Sequence, residues 1–85
     1  MAQVVLPSVL AAQAGGRARF DVVAPTLGEA LRALPVADLL FDARGEWRRH
    51  LSVFVDGEDA RQRGGFECPL SDVCEVRIVA MISGG

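Results

Sequence analysis

The 85-residue chain is long enough for one domain with a small core and too short for two. Its hydrophobic fraction of 51% and charged fraction of 24% exclude wholesale disorder. A net charge of −2, an aromatic content of 6% and the lack of tyrosine argue against a nucleic-acid partner. No apolar run approaches the length of a membrane span and no leader pattern is visible, so we expect no membrane partner and a soluble, cytoplasmic protein.

Residue types that usually hold metals are scarce in the sequence. Cys68 and Cys74 match no zinc-ligand spacing, and His50 is the single histidine. We therefore expect no metal site, and we interpret the two thiols as small buried or half-buried side chains in a reducing compartment. All nine cationic side chains are arginines, so the chain offers no lysine amine for chemistry.

The first thirty residues predict a strand pair. Residues 4–10 are apolar and β-branched, which is typical of a strand. Proline cannot donate to a ladder, so we expect a bulge or break at Pro7. A turn at residues 15–16, both glycines, leads to a second strand over residues 18–23. The two strands are predicted to form a hairpin.

The middle of the chain predicts one main helix followed by irregular structure. Thr26 and Glu29 fit a capping box, and apolar residues then recur at helical spacing until Pro35. Residues 36–49 are the least regular part. Within them, residues 39–41 could tuck a short helical turn under the core.

The C-terminal third predicts further strands. Residues 51–55 form a strand that ends at the tight-turn dipeptide 56–57, and residues 58–63 return as a short edge strand. Residues 75–80 are predicted as the last strand. The element order fits an α+β β-grasp fold, in which one main helix covers a mixed sheet of four to five strands and the first and last strands lie side by side. We expect this domain to span residues 1–81, with a flexible tail over residues 82–85.

The last two residues are both glycine, and no turn or helix cap accounts for them. A terminal pair is expected by chance about once in 200 chains at average glycine usage. Glycine lacks a Cβ and accepts almost any backbone dihedral angle, so Gly84 and Gly85 could thread through a narrow tunnel into another protein's active site. The pattern indicates a terminal carboxylate that is activated and modified.

Several stretches together resemble the ubiquitin-like sulfur carriers of the MoaD/ThiS family, most of all those of the CysO type that serve cysteine biosynthesis. Residues 49–61 are similar to a family stretch that usually reads R-H-V-N-V-F-V-N-G-E-D-I-R. The other matching stretches are residues 6–10 with 15–16, residues 26–30, and residues 75–79 with 84–85. The resemblance covers nearly the whole chain.

The resemblance implies a sulfur carrier that is not itself an enzyme. An ATP-dependent activating adenylyltransferase of the MoeB/ThiF type would adenylate Gly85, with Gly84 beside it, and the adenylate would be converted to a thiocarboxylate. No cofactor would be bound, because the sulfur is carried covalently. A biosynthetic enzyme such as a cysteine synthase would accept that sulfur.

A partner surface is predicted next to the tail. If Val76, Ile78 and Ala80 face the helix, then Arg77 and Val79 face the other side of the sheet, with Phe54 near them. Residues 36–49 could instead fold over that side, and the sequence leaves both alternatives open. The predicted partner-binding residues are Ser83, Ile82, Met81, Val79, Arg77, Phe54 and Arg61. We interpret Trp47 and His50 as loop packing residues.

Three other functions remain open at the level of sequence. The chain could be the small subunit of molybdopterin synthase, which would require a stable complex with a large subunit. It could be a ubiquitin-like protein modifier, and the lack of lysine suits a modifier that does not build chains on itself. It could also be an interaction module whose terminal glycines have no role.

Overall fold

A computed structural model describes residues 2–70 and 75–81. The strands are β1 (Ala2–Val5), β2 (Arg19–Val22), β3 (Leu51–Val55), β4 (Glu58–Asp59) and β5 (Glu75–Ala80). The helices are α1 (Ser8–Gln13), α2 (Leu27–Arg32) and α3 (Ala37–Leu40), with 3₁₀ turns at Ala60–Arg63 and Gly65–Glu67. The bounds of β3 and β5 are those that the sequence predicts.

The five strands form one mixed sheet in the order β2-β1-β5-β3-β4. β1 and β5 pair in parallel, with Val4 opposite Val76, and β3 pairs antiparallel with β5. The first and last strands are therefore neighbours at the centre of the sheet. This arrangement confirms the predicted β-grasp fold.

The core lies between one face of the sheet and the helices. Leu27 and Leu31 of α2 are fully buried, as are Val4 and Val76 of the two central strands. Alternate residues of each strand contribute to this core, because side chains alternate between the faces of a sheet. Leu40 of α3 joins the same cluster, which confirms the predicted helical turn beneath the core.

The prediction of a strand over residues 4–10 is wrong beyond Val5. Pro7 has φ −68° and stands immediately before α1, so the proline starts a helix instead of interrupting a strand. Its fixed φ and missing N–H suit a helix start, where no backbone partner is needed. The helix turns Leu10 into the core. The β1–β2 connection is thus a helical loop, although the two strands still pair antiparallel.

The predicted return strand over residues 58–63 is shorter than expected. β4 stops at Asp59, whose carboxylate accepts the backbone N–H of Arg61 at 2.9 Å. This contact favours the 3₁₀ turn at Ala60–Arg63 and draws the chain out of the ladder. Because β4 pairs only with Phe54 and Val55, the first three residues of β3 lack a strand partner on that side within the described part of the chain.

The predicted signals at Thr26 and at residues 56–57 are confirmed. Thr26 Oγ1 accepts the N–H of Glu29 at 3.4 Å and caps α2. Asp56 and Gly57 both have positive φ, 49° and 86°, as a two-residue hairpin turn requires.

We expect Gly57→Ala to lower the free energy of unfolding by about 1–2 kcal/mol, the penalty for a side chain in the left-handed region. A Cβ at this position would meet nothing within 4 Å, so the loss reports backbone strain alone. Gly57→Asn is the matched control and should lose less, because asparagine tolerates positive φ. Urea denaturation followed by circular dichroism measures both; equal losses would contradict this account.

Candidate functional site

The face of the sheet opposite the helices forms a patch centred on Arg77. We call this the outer face: Arg77, Phe54 and Val79, with Ser52 at its end. In the strand register Arg77 lies opposite Phe54 of β3 and opposite Val5 of β1. Arg77 is exposed, and its Nε donates to Glu75 Oε1 at 3.2 Å. Phe54 and Val79 are half-buried.

Residues 36–49 do not fold over the outer face. Leu40 and Phe41 belong to the core cluster on the helix side, and Trp47 packs against it. Of the two alternatives that the sequence leaves open, the structure therefore favours an outer face that this segment does not cover. Phe54, Val79 and Arg77 are brought together there, as predicted.

Met81 is the last described residue and marks where the chain leaves the sheet. Its N–H donates to the carbonyl of His50 at 2.6 Å, and Ser52 Oγ donates to Met81 Sδ at 3.0 Å. Its side chain is nevertheless 59% exposed. The other predicted residues of the C-terminal segment, Ile82, Ser83, Gly84 and Gly85, lie outside the described residues, as does Cys74.

Beside Met81 lies a cavity of about 440 Å³, which we call the aromatic groove. It runs along the part of β3 that β4 leaves unpaired. Its principal lining residues are Trp47, Phe66, Arg49, Arg61, Ser52 and Met81. Ser52 belongs to both the groove and the outer face and contacts Met81, so the two surfaces are continuous.

Arg61 is held at the groove by Asp59. The guanidinium donates to both carboxylate oxygens of Asp59, at 3.2 and 2.9 Å. Hydrogen bonds from the Arg61 side chain and backbone hold the pKa of Asp59 below its ordinary value, while Asp59 raises the pKa of Arg61. Arg61 is exposed and Asp59 half-buried, so solvent screens the pair and its main effect is to fix the orientation of Arg61.

The described residues were also searched for a metal site, a membrane-spanning helix and a paired thiol. Among residues 2–70 and 75–81, no group of His, Cys, Asp and Glu side chains could hold a metal ion. No helix in those ranges is long and apolar enough to cross a membrane. Cys68 is buried and unpaired, which agrees with the interpretation of its thiol as a packing group.

The aromatic groove was not predicted from the sequence. Trp47 does pack, as interpreted, with its ring 5.4 Å from those of Phe41 and Phe66, but it also forms a groove wall. Arg49 and Phe66 were not expected to contribute to any site. The one signal in the sequence was that Trp47 and Phe66 are aromatic residues outside the strands. They are nineteen positions apart in irregular segments, and no spacing rule predicts that such residues meet.

The β-grasp fold, with an exposed Met81 directly after β5, is typical of a ubiquitin-like protein.

No protein-family model matches the chain. Among curated proteins, the sulfur carrier protein CysO of Mycobacterium tuberculosis is 27% identical over 89 residues, covering 96% of both chains. Its crystal structure superposes with a TM-score of 0.78, at 25% identity over 96% of this chain and 100% of that one.

Two other solved structures are similar. SAMP1 of Haloferax volcanii is 31% identical, covers 98% of this chain and 97% of its own, and gives a TM-score of 0.74. The Amycolatopsis orientalis BexX/CysO complex gives a TM-score of 0.80 at 24% identity with full coverage, which supports the fold. The chain is therefore similar to the ubiquitin-like sulfur carriers, CysO among them.

We expect Arg61→Gln to raise the pKa of Asp59 towards its ordinary value, because the guanidinium hydrogen bonds are lost. In the unchanged protein the lowered pKa stabilises the fold above the ordinary pKa of aspartate, and that contribution disappears as pH falls through the lowered value. NMR titration of the side-chain carboxyl carbons measures the pKa directly. Arg63→Gln, which removes a contact with Glu58, is the control and should leave Asp59 unchanged; equal shifts would contradict the assignment.

Proposed function

We propose that this protein carries sulfur on the carboxylate of Gly85. The observation that carries the proposal is the exposed position of Met81, directly after β5 and three residues before the Gly84-Gly85 pair. The likeness to curated proteins supports it, because those proteins are named sulfur carrier proteins. In this role the protein is a substrate of its partners and not an enzyme.

The proposed chemistry takes place in partner active sites. A carboxylate is a poor acylating group, so an activating adenylyltransferase of the MoeB/ThiF type first joins it to AMP from ATP and releases pyrophosphate. Sulfide then attacks the carbonyl carbon. The C–O bond to AMP breaks, a C–S bond forms and AMP leaves, giving a thiocarboxylate. In this proposal the carrier binds no cofactor, and because Gly84 lacks a Cβ the segment can enter a narrow channel.

The outer face is the proposed docking surface for these partners. Phe54 and Val79 supply apolar area, and Arg77 supplies a charge between them, which is the composition of a small interface centre. Met81 contacts this surface through Ser52, and Ile82 and Ser83, which separate it from Gly84 in the sequence, are proposed to contact the partner as well. The BexX/CysO complex is a precedent for a protein of this fold that assembles with another protein.

The proposed sulfur acceptor is a biosynthetic enzyme such as a cysteine synthase, and the proposed location is the cytoplasm, where ATP is available.

Arg61 lies in the aromatic groove and would contact a partner only if that partner extends beyond Met81.

A second function, protein modification, is favoured by the likeness to SAMP1, a small archaeal modifier protein. A modifier would join its Gly85 carboxylate to lysine amines of other proteins after the same adenylation. Adducts that carry the C-terminal glycines on lysine residues in a cell lysate would support this function. Their absence, with thiocarboxylate present, would leave sulfur transfer as the function.

The direct test of sulfur carriage is the intact mass of the protein after incubation with its activating enzyme, ATP and sulfide. We expect a mass increase equal to the replacement of one oxygen by sulfur. A chain that lacks Gly84 and Gly85 is the control and should not change. No increase with any adenylyltransferase of the source genome would reject the proposal.

The docking surface is tested separately with Arg77→Glu. We expect its affinity for the activating enzyme to fall about tenfold or more, as for a central interface residue. Arg44→Glu makes the same charge change in an exposed loop outside the outer face and should bind normally. Isothermal titration calorimetry measures both affinities. Equal affinities for the two variants would remove Arg77 from the docking surface.

A further inference from the structure

Strand β2 forms one edge of the sheet, and within the described part of the chain only β1 pairs with it. The N–H of Leu6 donates to the carbonyl of Ala18 at 2.7 Å, so these two residues form a hydrogen-bonded pair at the end of the antiparallel ladder. Hydrogen-bonded pairs alternate with non-hydrogen-bonded pairs along such a ladder. The backbone N–H and C=O groups of Arg19 and Asp21 therefore point away from β1, towards the free edge.

The side chains at this edge carry complementary charges. Arg19 and Asp21 are both exposed and lie on the same face of the sheet, because they are two positions apart in one strand. Arg19 donates to the neutral amide oxygen of Gln3 at 2.7 Å, and among the described residues neither Arg19 nor Asp21 makes an ion pair. A second copy of β2 that runs antiparallel to the first would place opposite charges side by side.

One register satisfies both the backbone and the charges. With Phe20 at the two-fold axis, Arg19 of each copy lies opposite Asp21 of the other. Both residues direct their backbone groups to the edge, so each such pair exchanges both of its backbone hydrogen bonds. A shift by two residues in either direction would place Arg19 opposite Arg19, or Asp21 opposite Asp21, at the axis, where like charges repel.

Arg17 lies across this edge. Its Nε donates to the carbonyl of Arg19 at 3.1 Å, and its guanidinium carbon lies 4.4 Å from the centre of the Phe20 ring. The Arg19 carbonyl is one of the groups that an added strand would bind, so Arg17 has to move before a strand can pair. Charged side chains on an edge strand are one means by which proteins prevent association.

We propose that the free edge of β2 pairs with a second copy of this chain, and that Arg17 blocks this pairing in the free protein. Association exchanges the two contacts of Arg17 in each copy for backbone hydrogen bonds and Arg19–Asp21 ion pairs between the copies. Because β2 has only four residues, the interface is small and the association is weak and reversible.

The pairing leaves the outer face accessible. β2 and β4 lie at opposite edges of the sheet, whereas Phe54 and Arg77 lie on β3 and β5. A dimer of this kind would carry two outer faces on one continuous sheet. Since none of the pairing contacts involves the outer face, the inference does not depend on the proposed sulfur carriage.

The test compares the association of Arg17→Ala and of the unchanged protein by sedimentation equilibrium at increasing protein concentration. Loss of one hydrogen bond and one cation–π contact should favour the open edge about tenfold in each copy, and the dimer about a hundredfold. Arg32→Ala is the matched control, because Arg32 lies over the Phe41 ring at the same 4.4 Å. It should associate no more than the unchanged protein. Equal association of all three proteins would overturn the proposal.

The register is tested by charge changes in the Arg17→Ala background. Asp21→Arg should abolish the dimer, because each pair then brings two arginines together. Adding Arg19→Asp exchanges the two charges and should restore the dimer. A dimer that persists with Asp21→Arg alone, or that the added Arg19→Asp does not restore, would overturn the proposed pairing.

Circular dichroism establishes that each variant is folded, and Arg17→Ser, whose side chain is too short to reach Phe20, replaces Arg17→Ala should that variant unfold. None of these measurements uses sulfur, ATP or an adenylyltransferase. Failure of the pairing would therefore leave sulfur carriage untouched, and failure of sulfur carriage would leave the pairing intact.

Discussion

The parallel pairing of β1 with β5 is the contact on which the rest of the molecule depends. It joins residues more than seventy positions apart, with Val4 opposite Val76, and both side chains are completely buried. Such a pairing closes nearly the whole chain into one loop, and only burial of a shared core compensates for the lost chain entropy. Because β5 is held between β1 and β3, the direction in which it delivers Met81 is fixed by the centre of the sheet.

The same pairing separates the two faces of the sheet. Helix α2 and the segment containing Leu40 cover one face, and Leu10 of α1 and Leu70 join the same core. The side chains that alternate away from it, Phe54, Val79 and Arg77, are then left on the other face by the period of the strands. The open outer face, which we propose as the docking surface, is thus a consequence of building a β-grasp sheet with its helices on one side.

Local signals in the sequence predict most of this fold. β3, β5, the cap at Thr26 and the turn at residues 56–57 each depend on a few adjacent residues, and each is confirmed. The role of Pro7 was predicted wrongly because a proline that ends a strand and a proline that starts a helix have the same fixed φ. A helix forms after Pro7 because it buries Leu10 in the core. The aromatic groove could not be predicted at all, because Trp47 and Phe66 meet through tertiary packing.

The groove and the outer face meet because β3 carries alternate residues to opposite sides. Leu51 and Val53 face the core and floor the groove, while Ser52 between them faces outward and contacts Met81. Because β4 ends early, the edge of this part of β3 has no strand partner on that side among the described residues, and the contact of Asp59 with the backbone of Arg61 favours that end. The hydrogen bond between Asp59 and the backbone N–H of Arg61 therefore helps to leave a surface open beside Met81, the last described residue.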